Sequence, residues 1–290
     1  MRVLVSTDSS AKINETFFDK YEISVYPLNV IIDGEEFLDG VTINQDQLGE
    51  AMRSGKIIKT STPPLGEIIE YFEKLFEKGY DHIIHFTISS KLSSMYDLFC
   101  NVAKQNFDGK ITVIDAYSVS TSMLNNVMYA YEEVQKGTAI ADIVKEIEER
   151  KKKSYILFVP ENLNALKNGG RVSPAMALIG NTIGIKPILL LQEGAIVKEG
   201  MTKRIRKTLE EKLPTLINEY PVADYDYTVV RFDVEQEKLQ LTVDVVAAKV
   251  GQEKVMIGAL PINVCAHCGP GTTGLVISSK INGKSLAEFF

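Results

Sequence analysis

Apolar residues follow two rhythms along the first half of the chain. Short continuous runs, such as Val3-Leu4-Val5, Asp81–Thr87 and Ile111–Ile114, have the pattern of buried strands. Between them the spacing lengthens, as in Ile68, Ile69, Phe72, Leu75 and Phe76, which is the stripe of an amphipathic helix. The runs at Val3, Asp81 and Ile111 end in polar turns: Thr7-Asp8-Ser9-Ser10, Ser89-Ser90-Lys91-Leu92-Ser93-Ser94, and Asp115-Ala116-Tyr117-Ser118. Helices are expected from Pro64 to Lys78, after Ser94 to about Gln105, on to Gln135, and past Gly137-Thr138 to Lys152. Ile23–Ile32 reads as one more strand, with Asp33-Gly34 as a hairpin turn before Glu35-Glu36-Phe37. Thr42 or Asn44 starts a helix running to about Ser54, closed by Gly55. Strand, polar turn and helix in repeated succession predict a parallel α/β sheet covered on both faces. Ligands in such sheets bind beyond the carboxyl ends of the strands, and the turns at Ser61 and Ser93 are both placed there.

After Tyr155–Pro160 the rhythm changes. Ile185–Leu191 and Ala195–Lys198 read as two strands meeting at Gln192-Glu193-Gly194, an antiparallel hairpin. A helix from about Thr202 to Glu219, a strand Tyr225–Asp233, a helix Glu235–Val250 and a strand Lys254–Leu260 follow. This half is expected to be α+β with a mixed, mostly antiparallel sheet. The expected domains are residues 1–155 and 156–290, within the usual size of a domain. No fixed-period repeat is visible.

Composition narrows the function. Of 290 residues, 45% are apolar, enough for real cores, and the formal charge of −6 argues against a general affinity for nucleic acid or acidic membranes. The basic clusters Arg150–Lys153 and Lys203–Lys207 read as solvated helix faces. No apolar run reaches the ~18–20 residues that span a bilayer, and the N-terminus runs directly into a strand with no signal-peptide layout. A cytoplasmic location without stable membrane insertion is expected. Cys100, Cys265 and Cys268 form no disulfide framework. The pair Cys265 and Cys268 lacks a second set of zinc ligands beyond His82 and His85, so neither a metal nor a redox role is assigned and no cofactor is expected.

The densest run of special residues is Glu161–Leu191. Gly169-Gly170 permits backbone angles barred to other residues and close approach by another group. Arg171 follows, a permanent cation with a planar fork of donors suited to an oxyanion. Upstream, Thr60-Ser61-Thr62 precedes Pro63-Pro64 and a helix start, where unpaired backbone N–H groups favour an anion.

In order along the chain, Thr7-Asp8-Ser9-Ser10, Thr60-Ser61-Thr62-Pro63, Ser89-Ser90-Lys91-Leu92-Ser93, and Lys167–Ser173 with Ile185–Leu189 make up a recurring set. With His267-x-Gly269-Pro270-Gly271, the chain resembles the DegV family of bacterial fatty-acid-binding proteins from end to end. The resemblance implies two α/β domains holding a long-chain fatty acid. It also implies a role in handing that acid to a separate ATP-dependent fatty acid kinase, whose acyl phosphate enters phospholipid synthesis. The family's carboxylate site falls on Ser61, Ser93, Arg171 and His267. This sequence departs from the family pattern at Ser94, where glycine is usual, at Lys91 beside it, and at Thr62, where Gln is common. Thr62 therefore joins the candidates, and the second hydroxyl donor is either Ser93 or Ser94.

Physical chemistry supports such a ligand. A buried carboxylate needs charge and several donors, which two hydroxyls, an Arg fork and an imidazole supply. At about 0.8 kcal/mol per methylene, a long tail contributes roughly 10 kcal/mol before ordering costs. Met176–Ile179, Ile183, Ile188 and Met123–Met128 are candidates for its slot. The main alternative is a serine hydrolase using Ser61 or Ser93 with His267, although no Gly-x-Ser-x-Gly elbow occurs. A phosphotransferase lacks its Gly-x-x-x-x-Gly-Lys loop here, and a ligand-free interaction module is the weakest reading.

Overall fold

The computed structural model describes residues 1–11, 16–172 and 184–290. Its first sheet is wholly parallel, in the order Ile23–Tyr26, Val3–Asp8, His82–Thr87, Ile111–Asp115. Strand alternation explains why helices cover both faces. Val5 and Ile84 point to the helices Ser120–Lys136 and Ile140–Arg150, where they meet Met123, Leu124, Val127, Ile143 and Ile147. Leu4 and Ile83 point the other way, to Ile68, Phe72, Phe99 and Val102 on Leu65–Glu77 and Met95–Asn106.

The second sheet has six strands, in the order Ala195–Thr202, Lys186–Gln192, Ser154–Val159, Thr272–Ser279, Tyr225–Phe232, Val255–Ala259. All neighbours are antiparallel except the last pair, which is parallel. One face, with Leu157, Val229 and Leu275, packs on the helices Ile205–Glu219 and Gln236–Val250. The α/β class, with a parallel sheet first and a mixed sheet after it, is as the sequence predicts. Both predicted hairpin turns form, with Asp33 and Gly34 at φ 50° and 91°, and Glu193 and Gly194 at 48° and 79°.

Several details depart from the sequence reading. Ile23–Ile32 is two strands rather than one, because Asn29–Ile32 leaves the parallel sheet and joins a third, antiparallel sheet with Glu35–Leu38 and Ile58–Ser61. Ser61 therefore ends a strand of this small sheet and lies beyond no parallel strand. Val30 and Ile32 of the small sheet, with Leu48 of the helix Gln45–Arg53, pack against Ile156, Val230 and Val276 of the six-stranded sheet. Long-range packing of this kind is invisible to local periodicity. The first strand of the mixed sheet is Ser154–Val159 rather than the segment at Ile185. Arg150, read as part of a solvated face, is buried. Its guanidinium donates to the side-chain oxygens of Asn125 and Asn126 and to the carbonyls of Ser279 and Lys280.

A polar junction ties the small sheet and the helix Ile262–Cys268 to the parallel sheet. Asp8 accepts from the backbone N–H groups of Ser10 and Ile88 at 2.8 and 2.6 Å. Ser9 Oγ donates to Asp39 at 2.8 Å and accepts from the N–H of Leu28, and Asp39 also accepts from the N–H of Asn263. Burial pushes the Asp8 carboxyl up to about 6 despite these donors. A carboxyl raised in the fold costs stability as pH climbs from its ordinary value near 3.8 to about 6, and the full cost remains above that. A carbon-13 carboxyl titration is expected to place the Asp8 midpoint near pH 6. A midpoint at or below that of an exposed aspartate would show that the two backbone donors outweigh burial.

Candidate ligand site

Where the three sheets meet there is a cavity, with about 100 Å³ open to the centre of a water-sized sphere. A single water needs about 10–15 Å³ by this measure, so the space takes something larger. Most of the described lining is apolar, including Leu28, Ile88, Met95, Ile156, Phe158, Val230 and Val276. Ser61, Ser93, Arg171 and His267 line this same cavity, although they are separated by up to 206 residues in sequence. Thr62 and Ser94 do not line it; both are exposed. Ser94 instead precedes the first turn of Met95–Asn106.

Each group is held by a local device. Thr60 and Ser61 end the strand Ile58–Ser61, where register sets Ser61 opposite Asn29. Ser61 Oγ donates to Glu36 Oε1 at 3.3 Å, and Asn29 Nδ2 reaches the same oxygen at 3.5 Å. Ser93 sits in a turn closed by the N–H groups of Leu92 and Ser93 donating to Ser89 O. Ser89 Oγ donates in turn to Gly194 O at 2.7 Å, fastening that turn to the hairpin of the six-stranded sheet.

Arg171 is half-buried, and its guanidinium donates to two backbone carbonyls, Leu92 O at 3.1 Å and Gly169 O. No carboxylate among the described residues pairs with it. Burial alone lowers its pKa from the ordinary arginine value. A desolvated cation beside two hydroxyls is a place for an anion.

His267 lies in the last turn of the helix Ile262–Cys268, an element absent from the sequence reading. Its Nε2 is 2.9 Å from Thr60 Oγ1, and its Nδ1 is buried without a hydrogen-bond partner among the described residues. Burial, assisted by the charge of Arg171, pushes its pKa down to about 4, so the ring is neutral near pH 7. The imidazole presses against Gly169: a Cβ there would come within 2.1 Å of Nδ1. Gly169 itself has ordinary helical angles, whereas Gly170 is at φ 70°. The two glycines thus serve the two purposes that the sequence suggested, close approach and positive φ.

The hydrolase alternative needs a base bonded to a serine and oriented by a carboxylate. His267 bonds Thr60, and among the described residues no carboxylate reaches its Nδ1. Cys265 and Cys268 are buried free thiols, and the described residues hold no cluster of metal-ligating side chains. Of the residues suggested for a tail slot, Met123, Leu124, Val127 and Met128 belong to the core of the parallel sheet and Ile188 to the core of the mixed one. Met176–Ile179 and Ile183 lie outside the described residues. Sequence reasoning missed Asn29, Thr60, Ser120 and Asn263, all of which line the cavity. Thr60 stood in the flagged hydroxyl run, and Asn29 follows from strand register; Ser120 and Asn263 carry no local signal. No described helix is long and apolar enough to cross a membrane.

The model of a family described as uncharacterised protein, DegV family, matches residues 2–280. A DegV domain-containing protein of Staphylococcus aureus is 29% identical over 285 residues, covering 96% of this chain and 99% of its own. A solved structure reported as fatty acid binding of a DegV family protein from Thermus thermophilus is 25% identical, with a TM-score of 0.86 and coverage of 96% of this chain and 100% of that one. DegV of Bacillus subtilis, reported as a fatty acid binding protein, is 25% identical, with a TM-score of 0.83 and coverage of 97% and 100%.

Gly169→Ala is expected to push the imidazole off Thr60 and distort the Arg171 turn. The substitution should shift the His267 ring resonances strongly, whereas Gly170→Ala should mainly cost about 1 kcal/mol of stability through positive-φ strain. Unchanged His267 resonances in Gly169→Ala would refute the close approach.

Proposed function

The chain belongs to the DegV family, and we propose that it binds a long-chain fatty acid, with the acyl tail in the apolar cavity and the carboxylate among Ser61, Ser93, Arg171 and His267. One observation carries this reading: a half-buried arginine without a described acidic partner faces a cavity that is otherwise mostly apolar. The tail supplies most of the affinity, and the polar groups fix which end lies where. A bound carboxylate would take over the Ser61 hydroxyl from Glu36 and bring a counter-charge to Arg171. The fatty acids reported for the relatives from Thermus thermophilus and Bacillus subtilis support the same ligand class.

The role that fits is a non-catalytic carrier. It presents the carboxylate to a separate ATP-dependent fatty acid kinase, and the acyl phosphate formed feeds phospholipid synthesis. The resemblance of the turns at Ser61, Ser93, Arg171 and His267 to the family pattern supports this partner. Cytoplasmic placement follows from it.

Denaturing extraction of the purified protein, followed by mass spectrometry, is expected to release a long-chain fatty acid. A protein that comes out empty and takes up none when offered it sinks the carrier reading. Arg171→Ala is expected to keep tail binding within about tenfold, because burial of methylenes is untouched, while phosphorylation of the bound acid falls much further. Equal phosphorylation by that variant would remove Arg171 from presentation.

Loading should also move His267. Its depressed pKa gives the ligand-free fold a stability that is complete above the ordinary value of 6.5 and is lost as pH falls toward about 4. A carboxylate beside Arg171 cancels part of the repulsion, so the His267 midpoint is expected to rise when the acid binds. A proton NMR titration of delipidated and loaded protein reads this directly, and an identical midpoint in both would place the carboxylate elsewhere.

A further inference from the structure

The tail cavity is not uniformly apolar. Ser120 and Asn263 line it, are only 1% and 5% exposed, and each carries a side-chain oxygen with no hydrogen-bond partner among the described residues. Neither belongs to the carboxylate group described above. Ser120 opens the 17-residue helix Ser120–Lys136 and sits at φ 58°, a region that non-glycine residues rarely occupy. That helix start has no side-chain cap and no acidic residue in its first turn, so the helix itself offers nothing to offset its electropositive end.

Asn263 is fixed from two sides. Its backbone N–H donates to Asp39 at 3.1 Å, and Nδ2 donates to Ser10 Oγ at 2.7 Å, which leaves Oδ1 as the unpartnered acceptor. The helix beginning at Ser120 packs on the Ser9–Ala11 turn that holds this amide, and both residues line the same cavity.

We infer that Ser120 and Asn263 form a second polar subsite that takes a hydroxyl group carried on the acyl chain itself. This rests on the fatty-acid reading of the cavity. An alcohol donates one hydrogen bond and accepts others, so it can donate to Asn263 Oδ1 while accepting from Ser120 Oγ or the helix start. A carboxylate or phosphate would set its charge against the amide oxygen. With the amide turned round, Nδ2 would face the cavity and an alcohol would still satisfy it. A methylene in the same place leaves both groups dry and unbonded, which is costly in a buried setting. Asn263 and His267 stand four residues apart on one helix, hence about 5–6 Å apart at their Cβ atoms. The hydroxyl is therefore carried near the carboxylate end of the chain rather than at its tip.

The test compares palmitic acid with its β-hydroxy, δ-hydroxy and ω-hydroxy derivatives, each competing with a fluorescent fatty acid on the delipidated full chain. A derivative hydroxylated near the carboxylate is expected to bind roughly five- to tenfold more tightly than palmitic acid, the effect of about one added buried hydrogen bond. Ser120→Ala is expected to erase that preference, read as the ratio of the two affinities within the same variant. Equal binding of plain and hydroxylated acids by the unmodified chain overturns the subsite, as does a preference confined to the ω-hydroxy derivative or one that survives in Ser120→Ala. Should Ser120→Ala fail to fold, the series on the unmodified chain decides alone. Failure of every acid to bind overturns the fatty-acid reading first and the subsite with it.

Discussion

Much of this molecule depends on burying Asp8. Its carboxyl is fully enclosed and holds the backbone N–H groups of Ser10 and Ile88, which fixes the ends of two adjacent parallel strands. From there the bonds run outward through Ser9 to Leu28 and Asp39, and through Ser10 to Asn263. Removing a partner from such a network strands a buried polar group at a cost of about 1–3 kcal/mol. The junction therefore fixes where the small sheet and the helix Ile262–Cys268 sit against the parallel sheet. The cavity is the space that those placements leave.

The same constraint explains what was legible in the sequence. Strands and helices declare themselves through local period, so the parallel sheet, its helices and the two hairpins could be read directly. The third sheet could not, because only Pro27 interrupts the run from Ile23 to Ile32, and nothing local says that Asn29–Ile32 leaves the first sheet to pack against Ile156 and Val230. Arg150 misled for a related reason. A basic residue among lysines at a helix end suggests a solvated face, and nothing local announces the two asparagines and two carbonyls that satisfy it.

The candidate site was legible where a residue type is itself rare and purposeful. Two adjacent glycines before an arginine mark a place where a backbone is approached closely and turned sharply, and His267 against Gly169 supplies the approaching group. Hydroxyl runs flag a polar turn without saying which oxygen faces inward. Here Ser61 and Ser93 face the cavity while Thr62 and Ser94 face solvent. Asn263 was out of reach of such reasoning, since its importance comes from lying one turn before His267 on a helix that the sequence did not show.

Geometry also separates holding an acid from acting on one. A nucleophile would need a base poised to accept its proton, yet burial and the charge of Arg171 both disfavour a proton on His267, and its bonded partner is Thr60. A neutral imidazole beside a cation is a weak base and a serviceable hydrogen-bonding wall. Arg171 spends donors on the carbonyls of Leu92 and Gly169, which fixes the plane of its fork before any ligand arrives. Preorganised charge of this kind costs little when the anion binds. Among the described residues these groups are arranged to hold an acid, and they lack the serine–histidine–carboxylate alignment that a hydrolase needs.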